Sequence, residues 1–209
     1  VASTKAYTSQ VVLLAILAIH FAEILNSCDK KAIEDLKSDM IDLPSKIEQI
    51  LDNTEVVKDF AKKIYTEKDM FFLGRGTDYN VALEGSLKLK EITYIHSEAY
   101  AAGELKHGPI ALIENGVTVI GIITDEKLVE KSISNIQEVV TRGAKTLVIT
   151  NQILPNSHFD FVINIPKTNP LISPILSVIP MQLLSYYIAK FKGLDVDKPR
   201  NLAKSVTVE

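Results

Sequence analysis

The segment MFFLGRGTDYNVALEGSLKLKEITY, residues 70–94, contains the pattern that decides the fold class. A short apolar run at residues 70–73 predicts a strand, and Gly74-Arg75-Gly76 predicts a tight turn. The apolar periodicity that follows predicts a helix at residues 78–94. The order strand, turn, helix is that of a βα unit, the building block of parallel sheets.

The same alternation continues towards the C-terminus. Apolar runs predict three further strands, at residues 117–124, 146–150 and 159–165. Helices are predicted at residues 128–141 and 171–191. Continuously apolar strands that alternate with helices are typical of a parallel sheet covered on both faces. We therefore predict a three-layer α/β/α domain with a helical N-terminal segment and an irregular C-terminal tail.

The N-terminal segment is predicted to be helical. Residues 8–28 predict a buried or mostly buried helix, residues 30–42 and 45–52 predict two amphipathic helices, and Thr54 is a candidate N-cap for a helix that ends near residue 65. The apolar run at residues 11–19 is too short to cross a bilayer and lacks the flanks of a secretory signal, so no membrane segment is predicted. Because the chain begins with Val, we expect a fragment of a longer protein.

Composition narrows the class of function. The 209 residues are 46% apolar and 23% charged, as in an ordinary globular protein. The net charge is −3 and no Lys/Arg run is present, which argues against nucleic-acid binding. The single Cys28 excludes an internal disulfide and fits a cytoplasmic location. The histidines show no close pairing at ligand spacing, so no metal site is predicted.

The turn at Gly74-Arg75-Gly76 is a weak candidate for anion binding. Glycines allow close backbone approach, and the start of the next helix presents free N–H groups to a phosphate. However, the turn lacks both the dinucleotide fingerprint and the P-loop lysine. A glycine that serves only the turn explains the pattern equally well.

Three charged residues share one face of the helix predicted at residues 78–94. Glu84, Lys88 and Glu91 are four and three residues apart, so they lie within about 60° of arc at roughly 100° per residue. Apolar sectors flank this strip, and the wider polar wedge, at Ser86, Lys90 and Thr93, lies elsewhere on the helix. The strip is either an exposed ion-pair ladder or a partly buried site with pKa values suited to proton transfer.

Two further residues are candidates for chemistry. His107 precedes Gly108 and Pro109, which places its imidazole in a loop or at the end of an element, where it could move a proton near neutral pH. Lys204 lies in the terminal stretch DVDKPRNLAKSVTVE, residues 195–209, among small and apolar residues. Such surroundings can desolvate a lysine and make it nucleophilic, although most terminal lysines are solvated.

Three blocks of sequence together resemble the isomerase half of the glucosamine-6-phosphate synthase family. They are VASTKAYTSQ (residues 1–10), ALEGSLKLKEITYIHSEAYAAGELKHGPIALI (82–113) and DKPRNLAKSVTVE (197–209). That family contains two sugar isomerase (SIS) domains. The resemblance implies that residues 1–53 end the first SIS domain and its connection, 54–194 form the second SIS domain, and 195–209 form a catalytic tail.

The resemblance also implies roles for individual residues. Lys204 would form a Schiff base with the open-chain keto sugar, Glu91 would move a proton between C1 and C2, and His107 would assist ring opening. Lys88 and Glu84 would support proton transfer at hydroxyl groups. The positions implied to contact substrate are Val1, Ser3 and Ala203. No cofactor or metal is implied.

The implied activity is the formation of glucosamine 6-phosphate from fructose 6-phosphate and glutamine-derived ammonia. The implied assembly is a homodimer in which His107 enters the active site of a second subunit, with an N-terminal glutaminase domain in the parent. The family holds the sugar phosphate mainly in the first SIS domain, so the fragment alone is expected to be inactive. The alternatives are a non-catalytic phosphosugar-binding SIS module and an SIS-family deglycase or isomerase.

Overall fold

A computed structural model describes residues 2–154 and 158–202 of the chain. Its described residues form a parallel sheet in the order β2-β1-β3-β4-β5. The strands are β1 (Asp69–Gly74), β2 (His96–Ala101), β3 (Thr118–Ile123), β4 (Lys145–Thr150) and β5 (Phe161–Asn164). Helices cover both faces of this sheet, and the predicted three-layer α/β class is therefore confirmed.

Alternation along the strands explains the two covered faces. Phe72 and Ile120 point into one apolar core, whereas Leu73 and Val119 point into the other, because successive side chains of a strand face opposite sides. The helices are α1 (Lys5–Leu25), α2 (Lys30–Leu51), α3 (Glu55–Ile64), α4 (Thr77–Thr93), α5 (Val129–Val140) and α6 (Ser173–Phe191). Helices α3, α4 and α6 pack on the first core and α5 packs on the second.

Strand β2 was not predicted from the sequence. The first three of its residues, HSEAYA, are all polar, and it lies at the edge of the sheet, where it pairs with β1. An edge strand needs fewer apolar residues than a central strand, since part of it remains exposed. Its buried Ser97 is satisfied by hydrogen bonds with Ser86 of α4.

The two helices predicted at residues 30–42 and 45–52 are one continuous helix, α2. Pro44 lies inside it, where proline normally costs about 3 kcal/mol. The buried residues recur at three- and seven-residue spacings on one face, and they are Ile33, Leu36, Leu43 and Ile50. This continuous apolar stripe favours one helix despite the proline.

The prediction of a buried helix near residues 8–28 was wrong for this chain. All residues of helix α1 are described by the structure, and Ile19 is the one among them that is buried. Its large exposed apolar residues are Leu13, Leu14, Ile16, Leu17, Phe21, Ile24 and Leu25. By length and composition alone α1 could cross a membrane, a test that core helices of soluble proteins also pass. Cys28 lies beyond the end of α1 and is exposed.

Candidate active site

The turn between β1 and α4 fixes how the helix enters the structure. A Cβ atom at Gly74 would lie 2.4 Å from the backbone carbonyl of Asp78, so the position requires glycine. Gly76 has a φ of 56°, which also favours glycine. The Arg75 guanidinium donates to Asn135 Oδ1 at 2.7 Å. The glycines thus serve the close approach of strand and helix.

The crevice beside this turn is filled by the protein's own carboxylate. The chain passes from β1 to β2 on one side and then to β3 on the other, and such switch points are where open α/β sheets usually bind ligands. Here Asp78 accepts hydrogen bonds from the Thr124 amide and hydroxyl at 2.8 and 2.5 Å, and it is 2% exposed. Burial raises the pKa of Asp78, although these hydrogen bonds oppose the shift. The arrangement disfavours an anion at Gly74-Arg75-Gly76.

The charged strip on α4 forms a compact, half-buried cluster. We call Glu84, Lys88 and Glu91 the α4 charged cluster. Lys88 Nζ lies 2.6 Å from Glu91 Oε2 and 3.5 Å from Glu84 Oε1. The Lys88 side chain is 4% exposed, and those of Glu84 and Glu91 are 16% and 20% exposed. The strip is therefore not an exposed ladder, which leaves the partly buried alternative.

The segment just before α1 contacts this cluster. Lys88 Nζ donates to the backbone carbonyl of Ser3 at 3.3 Å, which joins residues 85 positions apart. One ammonium thus faces two carboxylates and a carbonyl dipole. Its contact with Glu91 is an ion pair rather than a directed hydrogen bond, and no described residue offers Glu91 Oε2 a hydrogen bond.

Glu84 has a raised pKa within the cluster. Burial is the largest cause of this shift, the charge and hydrogen bond of Lys88 oppose it, and the Glu91 charge adds to it. A carboxyl group with a raised pKa keeps its proton closer to neutral pH than an exposed one does. The cluster therefore places a carboxyl group of raised pKa and a second carboxyl group around one buried cation, an arrangement suited to moving protons.

Tyr7 is a neighbour of the cluster that the sequence did not reveal. It lies one turn after Ser3 on α1 and is partly buried against the core. Burial raises the pKa of Tyr7 to about 12, with a further contribution from the Glu84 charge. No periodicity within α4 could signal this residue, because the two helices are distant in sequence.

We predict that Tyr7 ionises near pH 12 in the folded chain. Its folded pKa lies above the ordinary 10.0, so its contribution to stability is complete below about pH 10 and is lost as the pH rises to about 12. Phenolate absorbance in an alkaline titration measures this. Tyr7→Phe should remove one late-titrating group and leave that of Tyr100, whose pKa is also raised to about 12, by its hydrogen bond to Glu98. An unchanged titration in Tyr7→Phe would contradict the assignment.

Of the remaining predicted site residues, Ser3 contacts the cluster and His107 does not. His107 is exposed at the end of a 3-10 helix, Ala102–His107, which follows β2. Within the described part of the chain, no hydrogen bond or ion pair joins it to the α4 charged cluster. Ser3 is exposed and contributes its carbonyl to Lys88. Val1, Ala203 and Lys204 lie outside the described residues.

The polar wedge predicted on α4 is not a solvated face. Ser86 and Thr93 are 1% and 0% exposed, and Lys90 alone of the three is exposed. Ser86 bonds Ser97 of β2, and Thr93 donates to the Leu89 carbonyl at 2.6 Å. The wedge therefore faces the sheet edge, and the charged cluster faces outward beside Leu83 and Leu87, which are exposed.

The five-stranded parallel sheet and the arrangement of its helices define the class of protein. The sequence profile of the SIS domain matches residues 63–190. The chain belongs to the SIS domain family.

Specific relatives refine this class. Over its whole length the chain is 59% identical to the glutamine–fructose-6-phosphate aminotransferase (isomerizing) of Clostridium perfringens and 44% identical to that of Thermococcus kodakarensis. It spans 35% of the length of each of these relatives. Among solved structures, the C-terminal domain of glucosamine-fructose-6-phosphate aminotransferase from Francisella tularensis superposes with a TM-score of 0.90 at 36% identity. That match covers 94% of this chain and 56% of the other.

Proposed function

We propose that the chain is part of an enzyme that makes glucosamine 6-phosphate from fructose 6-phosphate and glutamine-derived ammonia. The observation that carries the proposal is the 59% identity over the whole chain to a relative with this aminotransferase name. The α4 charged cluster supplies the chemistry, since it places carboxyl groups around a buried lysine at an outward face of the domain. Within the described residues, no cluster of three or more His, Cys, Asp or Glu is arranged to hold a metal ion.

The reaction begins at the sugar carbonyl. The Lys204 amine attacks C2 of the open-chain ketose, and water leaves as the Schiff base forms. Ammonia then displaces the lysine at C2 and gives the imine of the sugar. The protonated C=N bond withdraws electrons from C1 and makes its hydrogen more acidic.

Glu91 performs the isomerisation step. Its carboxylate takes the proton from C1, which gives an enolamine, and returns a proton to C2 as the C1 hydroxyl becomes the aldehyde. The ion pair with Lys88 at 2.6 Å fixes the orientation of this carboxylate. Glu84, whose pKa is raised by burial, carries protons for the sugar hydroxyls, and His107 assists ring opening.

The proposed domain organisation has residues 1–53 completing a first SIS domain, 54–194 forming the second, and 195–209 forming the catalytic tail. The apolar exposed side of α1 supports it, because seven large apolar residues of this helix need a cover. The first SIS domain supplies that cover and holds the sugar phosphate. We expect the isolated fragment to be inactive for this reason.

The proposed assembly is a cytoplasmic homodimer. His107 is exposed and is not joined to the cluster of its own chain by any contact among the described residues, which fits a histidine that enters the active site of a second subunit. The exposed Leu83 and Leu87 beside the cluster fit a site that another domain or copy completes. An N-terminal glutaminase domain supplies the ammonia in the parent.

Chemical trapping tests the proposal directly. Sodium borohydride should reduce the Schiff base formed by fructose 6-phosphate with the full-length enzyme, and peptide mass spectrometry should place the sugar-phosphate adduct on Lys204. Lys204→Arg should abolish the adduct because a guanidinium forms no Schiff base under these conditions. Lys198→Arg, a change at an exposed lysine in the same segment, is the matched control and should retain it. An adduct confined to any other lysine would contradict the proposal.

A further inference from the structure

The chain after α6 follows a defined path back to the end of α4. Gly193 ends α6 in the left-handed conformation with a φ of 69°. The Asp195 carboxylate then accepts hydrogen bonds from the backbone N–H groups two and three residues later, at 2.9 and 3.1 Å. Pro199 is buried. Arg200 is thereby brought to the C-terminal end of α4.

Arg200 makes two contacts with Tyr94, the residue that follows α4. The backbone N–H of Arg200 donates to the Tyr94 hydroxyl at 2.8 Å, across 106 positions of sequence. The guanidinium carbon of the same arginine lies 4.1 Å from the centroid of the tyrosine ring. Such a cation–π contact attracts the guanidinium to the ring face. Both the backbone and the side chain of Arg200 are therefore held by one side chain.

The backbone at Tyr94 and at Asn201 has an unusual conformation. Tyr94 has a φ of 61° and a ψ of 17°, in the left-handed region that glycine or asparagine usually occupies after a helix. A bulky residue in this region is uncommon and indicates a constraint other than local stability. Asn201 also has a φ of 61°, so the chain turns immediately after the contact. Tyrosine is thus used where local geometry favours glycine.

Another cation lies close to the contact. The pKa of Lys192 is lowered by burial and by the charge of Arg200. The Arg200 guanidinium therefore lies near a second cation as well as over the Tyr94 ring.

Tyr94 and Arg200 are each only a few residues from a residue with a proposed catalytic role. Tyr94 is three residues beyond Glu91, which corresponds to about 4.5 Å along a helix axis. Lys204 is four residues beyond Arg200, a length of chain that spans at most about 14 Å. A fixed Arg200 consequently bounds the distance of Lys204 from the end of α4, and proximity between two reacting groups raises the rate of a step that needs both of them.

We propose that Tyr94 and Arg200 form a positioning pair that attaches the C-terminal residues to helix α4 and presents Lys204 to the sugar that Glu91 acts on. The inference rests on the proposed function, and it assigns to this function two residues that do not touch the substrate. The pair acts through Lys204, so its loss should slow Schiff-base formation and leave the fold intact.

The test is Tyr94→Gly in the full-length enzyme. Glycine accepts the left-handed conformation without strain, and this gain opposes the loss of the two contacts, so the thermal midpoint should change little. The kcat for glucosamine 6-phosphate formation should fall about tenfold, since a hydrogen bond and a cation–π contact are each worth roughly threefold. The rate of borohydride trapping at Lys204 should fall in parallel. The KM for fructose 6-phosphate should change less than about twofold, because neither residue of the pair touches the substrate.

Three milder variants grade the effect. Tyr94→Phe loses only the hydroxyl and should lose about threefold in kcat. Arg200→Lys keeps the backbone N–H and a cation, and should retain most of the activity, whereas Arg200→Ala should lose about threefold because the backbone hydrogen bond persists. Both positions are at the surface or partly exposed, so these variants should fold even if Tyr94→Gly does not.

Controls separate this inference from the function on which it rests. Arg142→Ala, which removes an exposed arginine after α5 that donates to the Glu138 carbonyl, should leave kcat and trapping unchanged. Normal kcat and normal trapping in Tyr94→Gly, or in Tyr94→Phe and Arg200→Ala together, would overturn the positioning pair. A fully active Lys204→Arg enzyme would instead overturn the proposed function itself.

Discussion

Replacing Lys88 by Met should lower the free energy of unfolding of this chain by about 3 kcal/mol, the lower end of the cost of breaking a buried ion pair. The side chain is 4% exposed, and its ammonium is the cation that faces Glu84 at 3.5 Å and Glu91 at 2.6 Å. Methionine fills nearly the same volume without the charge. Two carboxylates with little access to water would then lie on one helix face without a partner, and the Ser3 carbonyl would lose its donor.

Urea unfolding, followed by circular dichroism, measures this loss. Lys90→Met is the matched control, because Lys90 lies two residues away on the same helix and is exposed; it should change stability by less than about 0.5 kcal/mol. Replacing Glu84 and Glu91 by Gln in the Lys88→Met background should recover most of the loss, since no uncompensated charge remains. Equal midpoints for Lys88→Met and Lys90→Met would show that the cluster is not buried in solution.

Glu91→Gln should reduce glucosamine 6-phosphate formation by the full-length enzyme by about a thousandfold, within the range expected for loss of a general acid–base group. The amide keeps the size of the side chain but accepts no proton from C1. Borohydride trapping at Lys204 should continue, because Schiff-base formation precedes the step that Glu91 performs. The combination of lost turnover and retained trapping is specific to a proton-transfer role.

A second carboxylate controls for the change of charge. Glu98→Gln alters an acid on β2 that bonds Tyr100 and is 41% exposed, and it should leave turnover within about twofold, as surface changes usually do. Both assays use ammonia supplied directly, so the glutaminase step does not limit the rate. Turnover of Glu91→Gln close to that of Glu98→Gln would remove Glu91 from the mechanism.

Much of the fold was predictable because strong local patterns agreed with the packing. Strands β1, β3, β4 and β5 are short apolar runs between helical periodicities, and each was predicted within a few residues of its observed bounds. Strand β2 has no such run, because an edge strand with polar neighbours resembles a loop in sequence. The gap between the two helices predicted for α2 contains Pro44, and the apolar stripe on both sides of this proline outweighs its local cost.

The candidate site was predictable only where its residues share one helix. The spacing of Glu84, Lys88 and Glu91 placed them on one face, and the structure joins them through Lys88. Contacts between distant parts of the chain left no pattern: the Ser3 carbonyl on Lys88, Tyr7 beside Glu84, and Arg200 on Tyr94. The exposure of α1 could not be predicted either, because the sequence of an apolar helix does not indicate which partner covers it.

The carboxylate of Asp78 has a consequence for inhibitor design. The crevice at the carboxyl ends of an open α/β sheet is the natural first target for phosphate-bearing sugar analogues, and here they would meet a buried acid already bonded to Thr124. Uncharged or cationic fragments that compete for the Thr124 amide would have to displace that acid first. The proposed site on α4 is the better target, and the proposed role of the Tyr94–Arg200 pair predicts that a compound bound between these two residues would inhibit without resembling a sugar.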